Sequence, residues 1–168
     1  MSGSINSQRT HETSKVQTLM VELDEVDKKI LRELQKDART SFKTIAKNIG
    51  VSAATIFVRV KRLTKTGVLK GFKAVVEPKA VGKSVTAFIL VRAQPKAYPA
   101  MLVALKRLDD IYEIHDITGQ YYSILKARTS NTDELAKIID QIGTVDGVAG
   151  TETMIVFRTV KEESDVRL

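Results

Sequence analysis

The sequence predicts an α+β protein: an N-terminal winged helix-turn-helix followed by a ferredoxin-like βαββαβ domain. Three observations predict it. Residues 41–63, SFKTIAKNIGVSAATIFVRVKRL, read as two short helices joined by a tight turn. The positive charge is concentrated on the half of the chain that holds this pair. From Ser84 onward the hydrophobic pattern switches to strands alternating with helices.

Residues 1–20 are rich in Ser, Thr and Gln with scattered charges, and are expected to be a flexible tail. A first helix is expected over 24–36. Asp24 is placed to cap it, Asp27 completes a capping box, and Val26, Ile30, Leu31 and Leu34 form its apolar stripe. Ser41 caps the next helix, in which Ile45, Ala46 and Ile49 recur at helical spacing and Gly50 supplies the C-cap. Ser52 caps a third helix, with Ile56, Val60 and Leu63 at i, i+4 and i+7 as its buried stripe. Three short helices of this kind make a compact trihelical core.

The far side of the third helix is the informative one. At 100° per residue, Ala54, Phe57, Val58, Lys61 and Arg62 point away from the buried stripe. Small residues at the start, then two apolar side chains, then bases suit a helix entering the major groove of double-stranded DNA. Phe57 and Val58 would meet thymine methyls. Ser52, Ala54, Thr55 and Arg62 would contact bases or support the helix that does, and Arg59 and Lys61 would contact phosphate or the groove wall. The alternative for Phe57 and Val58 is packing on a neighbouring element.

Lys65-Thr66-Gly67 ends this helix, and Val68–Val76 reads as strand broken at Gly71, the hairpin of a wing. Pro78 and Gly82 punctuate a linker. Ser84–Ala93 is then a strand with Val85, Ala87, Ile89 and Val91 on one face and Phe88 and Leu90 on the other. Pro99 opens a helix with Met101, Leu102, Leu105 and Leu108 inward. Ile111–Ile117 and Tyr121–Arg128 are strands around a Thr118-Gly119-Gln120 turn. A helix from Thr132 carries Leu135, Ile138, Ile139 and Ile142 inward, and Val148–Val160 is the last strand. In a βαββαβ order both helices cover one sheet face. The other face carries Phe88 and Leu90 bare, which suits pairing with a second copy sheet to sheet. The expected boundaries are a tail over 1–20, the winged helix-turn-helix over 21–76 with its helix-turn-helix at about 42–61, a linker over 77–83 and the ferredoxin-like domain over 84–168.

Composition agrees and excludes other classes. Residues 21–83 hold 15 Lys/Arg against 7 Asp/Glu, while residues 84–168 hold 10 against 12. A basic module joined to a near-neutral one is the electrostatic footprint of DNA binding by one half. The chain has no cysteine, which excludes disulfides, thiolate zinc sites and a thiol nucleophile. His11 and His115 are too far apart for a histidine metal cluster, and His115 and Asp116 alternate to opposite faces of a strand, so no catalytic pair is expected. No apolar run approaches the ~20 residues of a membrane span, and the first twenty residues lack a signal-peptide core. An enzyme is not expected, and neither a metal nor a cofactor is implied.

The helix-turn-helix, the GVLKGF segment after it, and a βαββαβ module holding TGQYYSILKAR and TETMIVF together resemble the Lrp/AsnC family of leucine-responsive, or feast/famine, transcription regulators. The resemblance runs from about Leu23 to Val160. It implies a cytoplasmic prokaryotic regulator, a homodimer that often assembles to an octamer, with an amino acid effector bound between dimers. The family's effector loop commonly reads Gly-Asp-Tyr/Phe-Asp, whereas this chain has Gly119-Gln120-Tyr121-Tyr122. Without the two acids the loop offers neutral hydrogen bonds, which favours glutamine or asparagine over lysine or arginine. Thr151 and Thr153 match positions whose hydroxyls line the same crevice in relatives, although strand propensity alone also accounts for them. For the tyrosines the alternative is packing. The rival to a sequence-specific regulator is an architectural nucleoid-type protein that coats DNA with little sequence choice.

Overall fold

The computed structural model describes residues 21–168, so the expected tail lies outside the described residues. The chain divides into two compact units: the residues up to Lys73 together with Asp165–Leu168, and Ala74–Ser164.

In the first unit, α1 (Glu25–Lys36), α2 (Phe42–Ile49) and α3 (Ala53–Lys65) are each started by a side-chain cap. Asp24 and Asp27 form a reciprocal capping box, with Asp27 N–H donating to Asp24 Oδ1 at 2.8 Å and Asp24 N–H to Asp27 Oδ2 at 3.2 Å. Gly50 closes α2 at φ 81°, ψ 36°, a conformation only glycine takes without strain, and its N–H donates to Ala46 O at 2.9 Å. That turn lets α3 cross back over α1 and α2. Ile30, Leu31, Leu34, Ile45, Ala46, Ile56, Val60 and Leu63 fill the shared core. The apolar stripes read from the sequence are thus the buried ones. Gln35 on α1 also exchanges two hydrogen bonds with the Val166 backbone, at 3.0 and 2.7 Å.

The wing expected over Val68–Val76 is not a strand here. Residues 68–77 have no regular structure, and Phe72, Val75 and Val76 are exposed. A strand exists only as part of a ladder, and nothing among the described residues pairs with this segment. Pro78–Val81 then forms one 3-10 turn, capped by Glu77.

The second unit contains β1 (Val85–Ala93), α4 (Tyr98–Leu105), β2 (Ile111–Asp116), β3 (Ser123–Thr129), α5 (Thr132–Gly143) and β4 (Val148–Ile155). The sheet is antiparallel in the order β2-β3-β1-β4, the ferredoxin-like arrangement. Ala87, Ile89, Val91, Leu125 and Ala127 form its inner face, against Met101 and Leu105 of α4 and Leu135, Ile138 and Ile142 of α5. Phe88 and Leu90 lie on the outer face, as alternation requires. There Phe88 is opposite Lys126 and Met154, and Leu90 is opposite Ile124 and Glu152. The outer face is not wholly apolar, because Lys126 and Arg128 pair with Glu162 at 2.7 and 3.3 Å. Two strand ends differ from expectation: Tyr121 and Tyr122 precede β3, and β4 stops at Ile155.

Candidate nucleic-acid interface and effector loop

The α3 surface is built by its cap and its core. Ser52 Oγ accepts from Thr55 N–H at 3.0 Å and lies 2.9 Å from Thr55 Oγ1, so both hydroxyls are committed to starting the helix. With Ile56, Val60 and Leu63 buried, helical rotation leaves Ala54, Val58, Lys61 and Arg62 facing out. Phe57 is 56% and Val58 64% exposed. Phe57 leans on Phe42 with ring centroids 6.4 Å apart, and neither Phe57 nor Val58 is sealed inside the unit. Holding both in water forgoes on the order of 1 kcal/mol each relative to burial. An isolated helix pair gains nothing from that arrangement.

Arg59 and Arg62 are less simply placed than the sequence suggested. Arg59 turns toward the start of α1, where its Nη1 donates to Asp24 Oδ2 at 2.5 Å and Asp27 Oδ1 at 3.0 Å. Arg62 Nη2 donates to Asp27 Oδ2. The Asp27 carboxylate is fully buried, whereas the Arg59 and Arg62 side chains are 27% and 47% exposed. The Arg59 hydrogen bond, with help from the Asp27 N–H, lowers the Asp24 carboxyl to about 2. The same pairing raises Arg59 further above its usual range. Sequence reasoning gave Asp27 only a capping role. The missed signal was spacing: two acids three apart on one helix match two arginines three apart on another.

The loop between β2 and β3 turns at Gly119, φ 110°, and leaves Gln120 exposed. Tyr121 OH donates to Glu152, and the Arg92 guanidinium lies 6.0 Å from the Tyr121 ring centroid. Gly150 gives that guanidinium its seat, since a Cβ there would stand 3.1 Å from Arg92 Nη2. The Glu152 hydrogen bond raises the Tyr121 hydroxyl. Tyr122 is half-exposed, its ring 5.2 Å from that of Tyr98. Tyr98 OH donates to Asp116, and burial followed by that bond pushes Tyr98 up to about 12.

The sheet register separates the remaining two residues of the expected set. Thr151 is opposite Val91 and Thr153 opposite Ile89, which puts both on the helix-covered face, partly buried. Glu152, between them, faces the other way. Within one chain the structure therefore brings Tyr121 to Glu152 and Arg92, and sets Thr151 and Thr153 on the opposite side of β4. The loop lacks its acids, yet Glu152 and Asp116 place carboxylates beside it. Neither was legible from the loop motif, because both come from strands whose pairing the motif does not specify.

Residues 23–64 match the model of the AsnC-type helix-turn-helix domain, and residues 86–166 match that of the Lrp/AsnC ligand binding domain. The chain is 40% identical over 148 residues to the HTH-type transcriptional regulator FL11 of Pyrococcus horikoshii, covering 88% of this chain and 98% of that one. The E. coli AsnC structure superposes with a TM-score of 0.81 at 34% identity, covering 86% of this chain and 98% of AsnC. The transcriptional regulator NMB0573 of Neisseria meningitidis, solved as an L-Met complex, shares the fold with a TM-score of 0.82 at 21% identity, covering 87% and 97%. No helix among the described residues is long and apolar enough to cross a membrane, and no group of His, Cys, Asp and Glu there could hold a metal ion.

Proposed function

This chain belongs to the Lrp/AsnC family of transcription regulators, and from that premise we propose that it is a sequence-specific DNA-binding regulator that acts in the cytoplasm as a homodimer or larger assembly and answers to an amino acid effector. The observation that carries the DNA reading is the solvent-facing surface of α3. Phe57 and Val58 stand out in water beside Lys61 and Arg62, on a helix whose opposite stripe is fully buried. Ser52 and Thr55 hold the helix start, and Ala54 leaves room for close approach to the groove.

A single helix-turn-helix grips a short stretch of duplex. Two related by a two-fold axis grip half-sites ~34 Å apart or a multiple of it. The outer sheet face, with Phe88, Leu90, Ile124 and Met154 at its centre, is the surface we assign to the second copy. For the effector, the loop residues Gly119, Gln120, Tyr121 and Tyr122 are the assigned contacts, while Thr151 and Thr153, on the other face of β4, are not placed to join them within one chain. Arg92 and Glu152 add one charge of each sign, a set suited to the carboxylate and ammonium of a free amino acid. Gln120 adds an amide to pair with an amide side chain, which favours glutamine or asparagine.

A hydroxyl-radical footprint tests the DNA reading. Discrete protected blocks at helical-turn spacing are expected, and uniform coverage would favour an architectural coating protein. A thermal-shift screen against the twenty amino acids tests the effector. A ligand at 100 times its Kd stabilises the native state by about 2.7 kcal/mol. Glutamine or asparagine is expected to raise the melting temperature and lysine to leave it, and the reverse ranking would overturn the assignment of Gln120 to an amide side chain. Methionine, the ligand of the Neisseria protein, is the natural comparison compound.

A further inference from the structure

We propose that Asp27 is a positioning residue for DNA recognition: from inside the first unit it fixes the guanidinium of Arg62 at the rim of the exposed α3 face, so that Arg62 offers a directed fork to a base and not a mobile charge to any phosphate. The inference rests on the DNA-binding reading above and adds how that site gains its selectivity.

The geometry supports a device and not only a staple between helices. Asp27 is fully buried, and both of its oxygens are engaged: Oδ1 by Arg59 at 3.0 Å, Oδ2 by Arg62 and by the Asp24 N–H at 3.2 Å. A buried carboxylate is tolerated only when paired in this way. The two arginines share the work unequally. Arg59 is spent, because one of its nitrogens bridges both Asp24 and Asp27 and little of its side chain is exposed. Arg62 is half-spent. Its one bond to Asp27 uses one of the two Nη2 hydrogens, so the other remains for a fork with Nη1 or Nε, neither of which makes a hydrogen bond among the described residues. Nearly half of its side chain faces solvent, one turn after Val58 on the same helix.

Two consequences follow from charge and entropy. Asp24 and Asp27 together balance Arg59 and Arg62, so this cluster adds little to the general attraction for phosphate, unlike the exposed Lys61. A free arginine also loses rotamer freedom when it docks on a base edge, and a guanidinium already held on one side loses less. Both effects raise the ratio of specific to non-specific binding, the first by lowering the denominator and the second by raising the numerator.

The test uses the full chain and two duplexes. One is recovered from a randomised pool by selection with the wild-type protein, and the other is its scrambled counterpart of equal composition. Asp27→Asn keeps the size of the side chain and an acceptor for the Asp24 N–H but removes the charge. Its binding to the scrambled duplex should strengthen, with a salt slope steeper by about one, because a released arginine reaches a phosphate. Its binding to the selected duplex should weaken by roughly tenfold, as expected when one forked base contact loses its direction. A purely structural Asp27 would weaken both together and leave the slope alone, which would overturn the proposal. Arg62→Lys keeps the charge without the fork, and should lower the ratio by a similar factor. The double variant should lose no more than either single one, and additive losses would also overturn the proposal. If Asp27→Asn does not fold, Arg62→Lys decides alone, and an unchanged ratio there refutes the idea. A wild-type protein that enriches no sequence defeats the DNA reading and this proposal with it. One that enriches a sequence, with an unchanged ratio in Asp27→Asn, defeats this proposal only.

Discussion

Val58 and Ile56 are two residues apart on one helix, and opposite outcomes are expected on changing them. Val58 is 64% exposed while Ile56 is fully buried. Val58→Glu removes no core contact and puts a better helix former on the surface, so stability should stay within about 0.5 kcal/mol of wild type. On DNA the new carboxylate meets phosphates. At ~5 Å in water each such pair costs about 1 kcal/mol, and the lost apolar contact adds a similar amount. Two neighbouring phosphates and one contact give roughly 2–3 kcal/mol, or about 30- to 150-fold in Kd. Ile56→Ala instead leaves a hole between the three helices and should cost about 2–5 kcal/mol, lowering the melting temperature by on the order of 10 °C or more. Fluorescence anisotropy with the selected duplex and a circular-dichroism melt read the two effects separately. Val58→Glu that melts like wild type and binds DNA with the wild-type Kd would refute the assignment of this face.

Further outcomes follow from other parts of the chain. Arg62→Ala should weaken binding to the selected duplex by ~1–3 kcal/mol and relax the sequence preference at one position, which a repeated selection would display. Gly147→Ala should destabilise the second unit more than Gly50→Ala destabilises the first. Both glycines have positive φ, but a Cβ at Gly147 would lie 2.5 Å from Ala97 Cβ while one at Gly50 meets nothing within 4 Å. Costs of roughly 2–4 and about 1 kcal/mol are expected, and equal shifts in denaturant midpoint would contradict the difference. In an absorbance titration Tyr98 should ionise late, at about 12 against an ordinary 10.0. Its pKa is raised on folding, so its contribution to stability is complete below pH 10 and is lost as the pH rises through 12. Tyr98→Phe should abolish that alkaline step, and a wild-type titration with no step above the ordinary tyrosine range would contradict the pairing with Asp116.

The trihelical core was legible because each helix announces itself at both ends and along one side. Asp24, Ser41 and Ser52 cap, Gly50 stops, and the apolar stripes at 30, 31, 34, at 45, 46 and at 56, 60, 63 became the buried residues. The sheet was legible for the same reason, since alternation along Ala87–Val91 fixes which side chains meet the helices. What the sequence concealed depends on pairing across distance. Val68–Val76 has strand composition but no ladder partner among the described residues. Arg59 and Arg62 read as surface bases until α1 brings Asp24 and Asp27 beneath them. Thr151 and Thr153 share a sequence neighbourhood with Glu152, yet the register sends them to the other face. In each case the local chemistry was visible and the long-range partner was not.

On the reading proposed above, the exposed side of α3 enters the major groove, once for each subunit of a DNA-bound dimer. The chain has no cysteine, so Val58→Cys provides a single attachment point for an iron chelate that cleaves nearby DNA. Asp140→Cys, on an exposed position of α5 in the other unit, serves as the control. With the selected duplex, the label at position 58 should cut two short clusters separated by about one helical turn or a whole number of turns, and the control should cut neither. Scattered weak cleavage from position 58, no stronger than from position 140, would mean that α3 does not carry the contact with DNA.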